Sequence, residues 1–194
     1  VKIKLIVPAI LAALAVPVLM ASTASAHAGR HHYHVVVSGA PYAGHTDWNE
    51  LTPNGVEGQQ NFKYLDREER LNALKTVQAA QSMNLPTYAA VIAIATALQE
   101  SGLHNYTESV DHDSLGTFQQ RPSMGWGTVS EIEDPAYAAK AFLRGLEQVD
   151  YQSMSVTDAA QSVQRSADPY AYAQWTAEAA HVVQQISNGV NYVS

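Results

Sequence analysis

The chain has 194 residues, with 11 Lys and Arg against 18 Asp and Glu, a formal net charge of −7, and no cysteine. The acidic balance argues against nucleic acid as a partner. With no thiol, the fold has neither disulfides nor thiolate chemistry and must be held by packing.

Lys2 and Lys4 precede an apolar run from Leu5 to Ala21 that is broken by Pro8 and Pro17, and Ala24-Ser25-Ala26 supplies a small-x-small pattern. This is the order of a secretory signal peptide over residues 1–26, because a spanning helix needs about 20 apolar residues. The expectation is a protein exported to the exterior or the cell wall, with no stable membrane anchor after cleavage. Loss of the segment leaves nine basic against eighteen acidic residues, a net charge of −9. What remains is long enough for one domain with a real core.

Residues 27–62 hold Gly, His, Pro, Ser and Asn without a helical or strand period, which reads as a flexible tether. Its only strand-like piece is Val35-Val36-Val37, and Tyr42, Trp48 and Phe62 either dock on the domain or stay exposed. His27, His31, His32 and His34 are ligand types for a metal, but a short tract without fixed geometry is better read as solvated linker.

From residue 63 to 194 the pattern predicts a mainly α domain. Leu71, Leu74, Val77 and Ala80, spaced by three, predict an amphipathic surface helix over 68–80. The next helix begins near Pro86, is apolar nearly all round from Tyr88 to Leu98, and runs through Gln99-Glu100-Ser101 to a stop at Gly102. Residues 103–134 are polar and carry Gly116, Gly125 and Gly127, which predicts a loop or short hairpin. Asp134-Pro135 introduces a helix over 136–148, Thr157 or Asp158 caps another to about Arg165, and a last one runs from Pro169 to Ile186 with Asn188-Gly189 as its stop. There is no internal repeat.

A helix that is apolar on every face lies inside a domain, so a charged residue in its last turn marks the passage from core to cleft or surface. Glu100 holds that place. Partial burial and the negative end of the helix dipole both raise a carboxyl pKa. An acid protonated near neutral pH can donate to a leaving oxygen, the step that glycosidic cleavage needs. A lone Glu at a helix end is more often an ordinary surface residue, so the neighbouring motifs decide. Asp111-His112-Asp113-Ser114-Leu115-Gly116 opens like a calcium loop, but Leu115 replaces a ligand and Pro122 stands where the closing Glu belongs, so no metal is expected.

Ala97-Leu98-Gln99-Glu100-Ser101, followed by Leu115-Gly116-Thr117-Phe118-Gln119-Gln120-Arg121-Pro122-Ser123, resembles the core motif of lytic transglycosylases and goose-type lysozymes. In that family a Glu-Ser pair ends the buried helix and a Gly-Leu-Met-Gln segment lines the cleft. Gly116 to Gln119 fits it, with Thr117 and Phe118 at the variable positions, and Pro122 matches the following proline. Phe-Gln-Gln-Arg-Pro-Ser and Gly-Trp-Gly further resemble secreted lysozyme-like proteins of actinobacteria. The resemblance covers about residues 84–185, weakly through Asp134-Pro135. It departs at Ala159–Ser166: where the family has Ala-Tyr-Asn-Ala-Gly, Ser162-Val163 replaces the Tyr-Asn pair, and only Gln164-Arg165 is polar after it.

The resemblance implies a lysozyme-like helical domain with a central buried helix and a loop or short hairpin over the cleft. Glu100 would be the catalytic acid. Ser101 would bond the carboxyl or hold its rotamer, or else serve as a helix-end hydroxyl. Gln119, and with less reason Gln120, would present amides to the sugar, and Tyr170 and Tyr172 would line the far wall or pack in the core. Arg121 would pair with a carboxylate, Tyr88 would pack, and Trp126 would stack on sugar or anchor the loop. Asp111 and Asp113 are the candidates for a second carboxylate, which a retaining or inverting hydrolase needs. The transglycosylase route needs only one Glu, acting as acid and then base, and under it both Asp residues order the loop.

Two classes of function follow. The first is a monomeric, cofactor-free enzyme, a lytic transglycosylase or muramidase, that cleaves peptidoglycan glycan strands. The second is a non-catalytic wall-binding or structural protein that keeps the fold. A third, weaker reading is a His-rich metal binder.

Overall fold

In a computed structural model of the chain, residues 47–109, 112–166 and 168–189 are described. The segment 1–26 that reads as a signal peptide, the four histidines at 27–34 and Asp111 lie outside them. The architecture is mainly helical: α1 (Trp48–Leu51), α2 (Arg67–Ser82), α3 (Thr87–Ser101), α4 (Val129–Ile132), α5 (Pro135–Leu146), α6 (Val156–Gln164) and α7 (Thr176–Ser187). Short 3-10 turns occupy Pro122–Met124, Tyr151–Ser153 and Ala173–Trp175. Strand pairing among the described residues is confined to one antiparallel bridge between Leu115 and Gln120.

α3 is the axis of the domain. Tyr88 to Leu98 are buried without a break, and α1, α2, α5, α6 and α7 all pack against the helix. The buried hydroxyl of Thr96 is satisfied within the helix, its Oγ1 donating to the Ile92 carbonyl at 2.8 Å. Gly102, at φ 65°, ends the helix in the left-handed conformation that glycine adopts without strain.

α2 opens with a reciprocal capping box, Asp66 accepting from Glu69 N–H and Glu69 accepting from Asp66 N–H, worth about 1 kcal/mol. Its inward face is not the leucine row expected from the sequence. Glu69, Asn72, Ala73, Thr76, Val77 and Ala80 are buried, while Leu71 and Leu74 are only half-buried. Steps of three residues drift around a helix of 3.6 residues per turn, so a strict i+3 row cannot stay on one face. The polar members of the true face are accommodated, with Asn72 Nδ2 donating to the Leu103 carbonyl at 2.9 Å and Lys63 pairing with Glu69 at 2.6 Å.

Three boundaries differ from expectation. The domain begins before residue 63: Asp47 caps α1, Leu51 is fully buried and Trp48 packs on the core, with its ring 4.9 Å from that of His181. Trp48 and Leu51, expected in the tether 27–62, therefore pack with the domain, and a helix of four residues is too short to announce itself by periodicity. Ser155, not Thr157 or Asp158, caps α6; Thr157 is buried and donates to the Pro169 carbonyl. α7 starts at Thr176 rather than Pro169, because Asp168 Oδ1 accepts from Tyr170 N–H and turns the chain.

Candidate active site

The end of α3, the loop 115–120, the end of α6 and the stretch 168–175 meet around Glu100. Glu100 Oε1 accepts from the Tyr172 hydroxyl at 2.7 Å, and the Gln164 side chain also bonds the carboxyl. Burial is the largest influence on this acid and pushes its pKa from 4.5 up to about 7, while the bonds from Tyr172 and Gln164 pull against the rise. No charged neighbour among the described residues contributes. Tyr172 is fully buried, and burial, followed by the adjoining carboxylate, drives its own pKa well above the usual phenol value. It stays a neutral hydrogen-bond donor.

The loop that faces this acid is rigid. Leu115 and Gln120 exchange main-chain bonds at 2.9 and 3.0 Å, and Gly116 N–H donates to the Tyr106 carbonyl at 2.7 Å. Gly116 sits at φ 72°, and a Cβ there would lie 2.4 Å from the Ile132 carbonyl oxygen, so only glycine fits. Phe118 is buried and stacks on Phe142 of α5 with ring centroids 5.3 Å apart. The Phe118 carbonyl accepts from Gln164 Nε2 at 3.0 Å, which joins loop, α6 and acid.

The sequence-derived site residues divide clearly. Ser101 Oγ donates to the Thr117 carbonyl at 2.7 Å and lies 3.1 Å from that of Ala97, so it ties the helix end to the loop. Gln119, half-buried at φ 47°, spends its amide on the Gly116 carbonyl. Gln120, paired with Leu115 in the bridge that closes this turn, is almost wholly buried and donates to the Ala138 carbonyl at 3.0 Å. Tyr170 is 76 % exposed, and the tyrosine that reaches the acid is Tyr172, two residues on. Tyr88 packs in the core, its hydroxyl donating to the Met154 carbonyl at 2.7 Å.

Asp113 is fully engaged elsewhere. Its oxygens accept from Arg121 Nε at 2.5 Å and from Ser123 N–H and Oγ at 2.8 and 3.0 Å. The Arg121 bond, then those of Ser123, hold its carboxyl well below the usual carboxylate range. These bonds tie residue 113 to the segment 121–123. Asp111 lies outside the described residues. Among the described residues no three His, Cys, Asp or Glu cluster together, and no helix is long and apolar enough to cross a membrane.

Gln164 and the choice of Tyr172 over Tyr170 were missed from sequence. The signal for Gln164 was slight: it and Arg165 are the polar pair that follows the missing Tyr-Asn. No family model matches the chain, and no curated protein matches it.

Proposed function

We propose that the chain cleaves peptidoglycan glycan strands between N-acetylmuramic acid and N-acetylglucosamine, with Glu100 as the only acid and base and no cofactor. The observation that carries this reading is the desolvated Glu100 carboxyl at the end of the central buried helix, with a pKa near 7 and a neutral tyrosine donating to one oxygen. An acid in that state holds a proton at neutral pH and has the driving force to release it. The resemblance to lytic transglycosylases and goose-type lysozymes supplies the substrate class, and a lysozyme-like fold exported to the wall belongs to the same proposal.

In the proposed reaction Glu100 gives its proton to the glycosidic oxygen as the C1–O bond breaks. The resulting carboxylate then takes a proton from the group that attacks C1. If that group is water, the product is a reducing end; if it is a hydroxyl of the same sugar, an intramolecular anhydro ring closes. The engagement of Asp113 with Arg121 and Ser123 supports the single-acid route, and so favours the anhydro product.

The test is a cell-wall gel assay with purified protein, followed by mass analysis of the products. Clearing by the wild type, anhydro-muramyl ends and a loss of about 10²- to 10⁴-fold in Glu100→Gln are expected. Reducing ends would move the protein to the muramidases. Tight binding without clearing would replace the enzyme by a wall-binding protein, the second reading, which is favoured by the Gln119 and Gln120 side-chain nitrogens donating to the main-chain carbonyls of Gly116 and Ala138.

A further inference from the structure

Tyr172 lies in the stretch 168–175, which has no α-helix and only a 3-10 turn over its last three residues, yet its hydroxyl must arrive within 2.7 Å of a carboxyl 72 positions away in sequence. What grips this stretch from outside is the run Gln60–Lys63. Asn61 N–H donates to the Gln174 carbonyl at 2.8 Å, and Asn61 Nδ2 donates to Gln174 Oε1. Gln60 Nε2 donates to the Ala173 carbonyl at 3.0 Å, while its Oε1 accepts from Ala177 N–H at 2.9 Å. The Lys63 main-chain N–H bonds the Glu178 carboxylate.

The same run reaches the helix that carries the acid. Lys63 Nζ donates to the Gly102 carbonyl at 2.9 Å, at the very end of α3. Gln174 Nε2 donates to Gln99 Oε1 at 2.9 Å, and Trp175 Nε1 donates to the same oxygen at 2.9 Å. Gln99 is the residue before Glu100. The side chains of Asn61, Gln174 and Gln99 thus form a continuous amide relay from the strap to the acid's own helix turn.

We propose that residues Gln60–Lys63 are a positioning strap that sets the register of Tyr172 on Glu100, with Asn61 as its central positioning residue acting through Gln174 and Gln99. Asn61 is exposed, and a single hydrogen bond at such a site adds little to global stability. The bonds converge instead on the one irregular stretch that delivers the acid's hydrogen-bond donor. The activity part of this proposal rests on Glu100 being the catalytic acid; the geometric part does not.

The experiment follows the Glu100 carboxyl carbon by NMR as a function of pH in the full chain, its signal assigned with Glu100→Gln. Tyr172 and Gln164 are the groups that hydrogen-bond this carboxyl, so losing the tyrosine bond raises its midpoint. Tyr172→Phe should raise it by roughly one unit. Asn61→Ala, with the tyrosine present but no longer held, should raise it by about half a unit and leave the melting temperature within a few degrees. In the double variant Asn61→Ala must add nothing to Tyr172→Phe, because its effect runs through that bond. An unchanged midpoint in Asn61→Ala, or a rise that adds fully to that of Tyr172→Phe, overturns the strap. With an active wild type, Asn61→Ala should lower kcat and leave KM unchanged. A wild type that cleaves no peptidoglycan removes the proposed function, while the titrations still decide the strap.

Discussion

Replacing Glu100 by Gln should make the protein more stable, and only above the pH at which the acid ionises. The sign follows from proton linkage. In the unfolded chain the carboxyl titrates near 4.5, and in the folded one near 7. Between these values the folded state holds a proton that the unfolded state has lost, so stability falls as pH rises through the window and is flat above it. At about 1.4 kcal/mol per pH unit, the ionised acid costs the native state about 3 kcal/mol at pH 8 and almost nothing at pH 4.5. Gln is nearly isosteric, accepts the same Tyr172 hydroxyl and carries no charge to desolvate. For a domain of this size the gain corresponds to a rise of roughly 10 °C in melting temperature at pH 8. Melting both proteins by circular dichroism at pH 4.5 and pH 8 isolates the acid, since every other titrating group cancels in the difference. The same difference at both pH values, or a Gln variant that melts lower at pH 8, would refute the desolvated-acid reading.

If the proposed single-acid cleavage holds, Asp113→Asn should keep activity within about tenfold of wild type in the gel assay, since its carboxylate is bonded to Arg121 and Ser123; after solvent screening its loss should cost at most about 1 kcal/mol. A loss equal to that of Glu100→Gln would install it as a second catalytic carboxylate. Gly116→Ala, with its Cβ directed at the Ile132 carbonyl from a left-handed backbone, should destabilise by about 3 kcal/mol or more in chemical denaturation. A chain starting at residue 47 should retain the wild-type melting temperature, whereas one starting at 63 loses the buried Leu51, worth about 2 kcal/mol, together with Gln60 and Asn61 of the strap, and should melt much lower.

The sequence was most legible where one physical rule acted alone. A stretch of eleven residues from Tyr88 to Leu98 that is apolar but for Thr96 is long for a strand and reads as a buried helix, and the charged residue beyond its end, Glu100, is where core gives way to surface. Loop chemistry was legible where a backbone needed it, as at Gly116. The rest depended on tertiary partners that no local pattern encodes. Whether Gln119 or Gln120 faces inward is set by the Leu115–Gln120 bridge, and whether Tyr170 or Tyr172 meets the acid is set by an irregular turn. α1 was hidden because one buried leucine and one tryptophan in four residues have no periodicity to show.

The five fully buried alanines of α3, Ala89, Ala90, Ala93, Ala95 and Ala97, let its neighbours approach closely. A methyl group is the whole allowance at each place, and an added methylene costs about 1–3 kcal/mol in a close-packed interior. Because Glu100 rides on the same rod, any swelling along it also moves the acid against Tyr172 and Gln164. The helix therefore works as a ruler with no spare volume. Added bulk finds room instead at exposed positions such as Val129 and Tyr170.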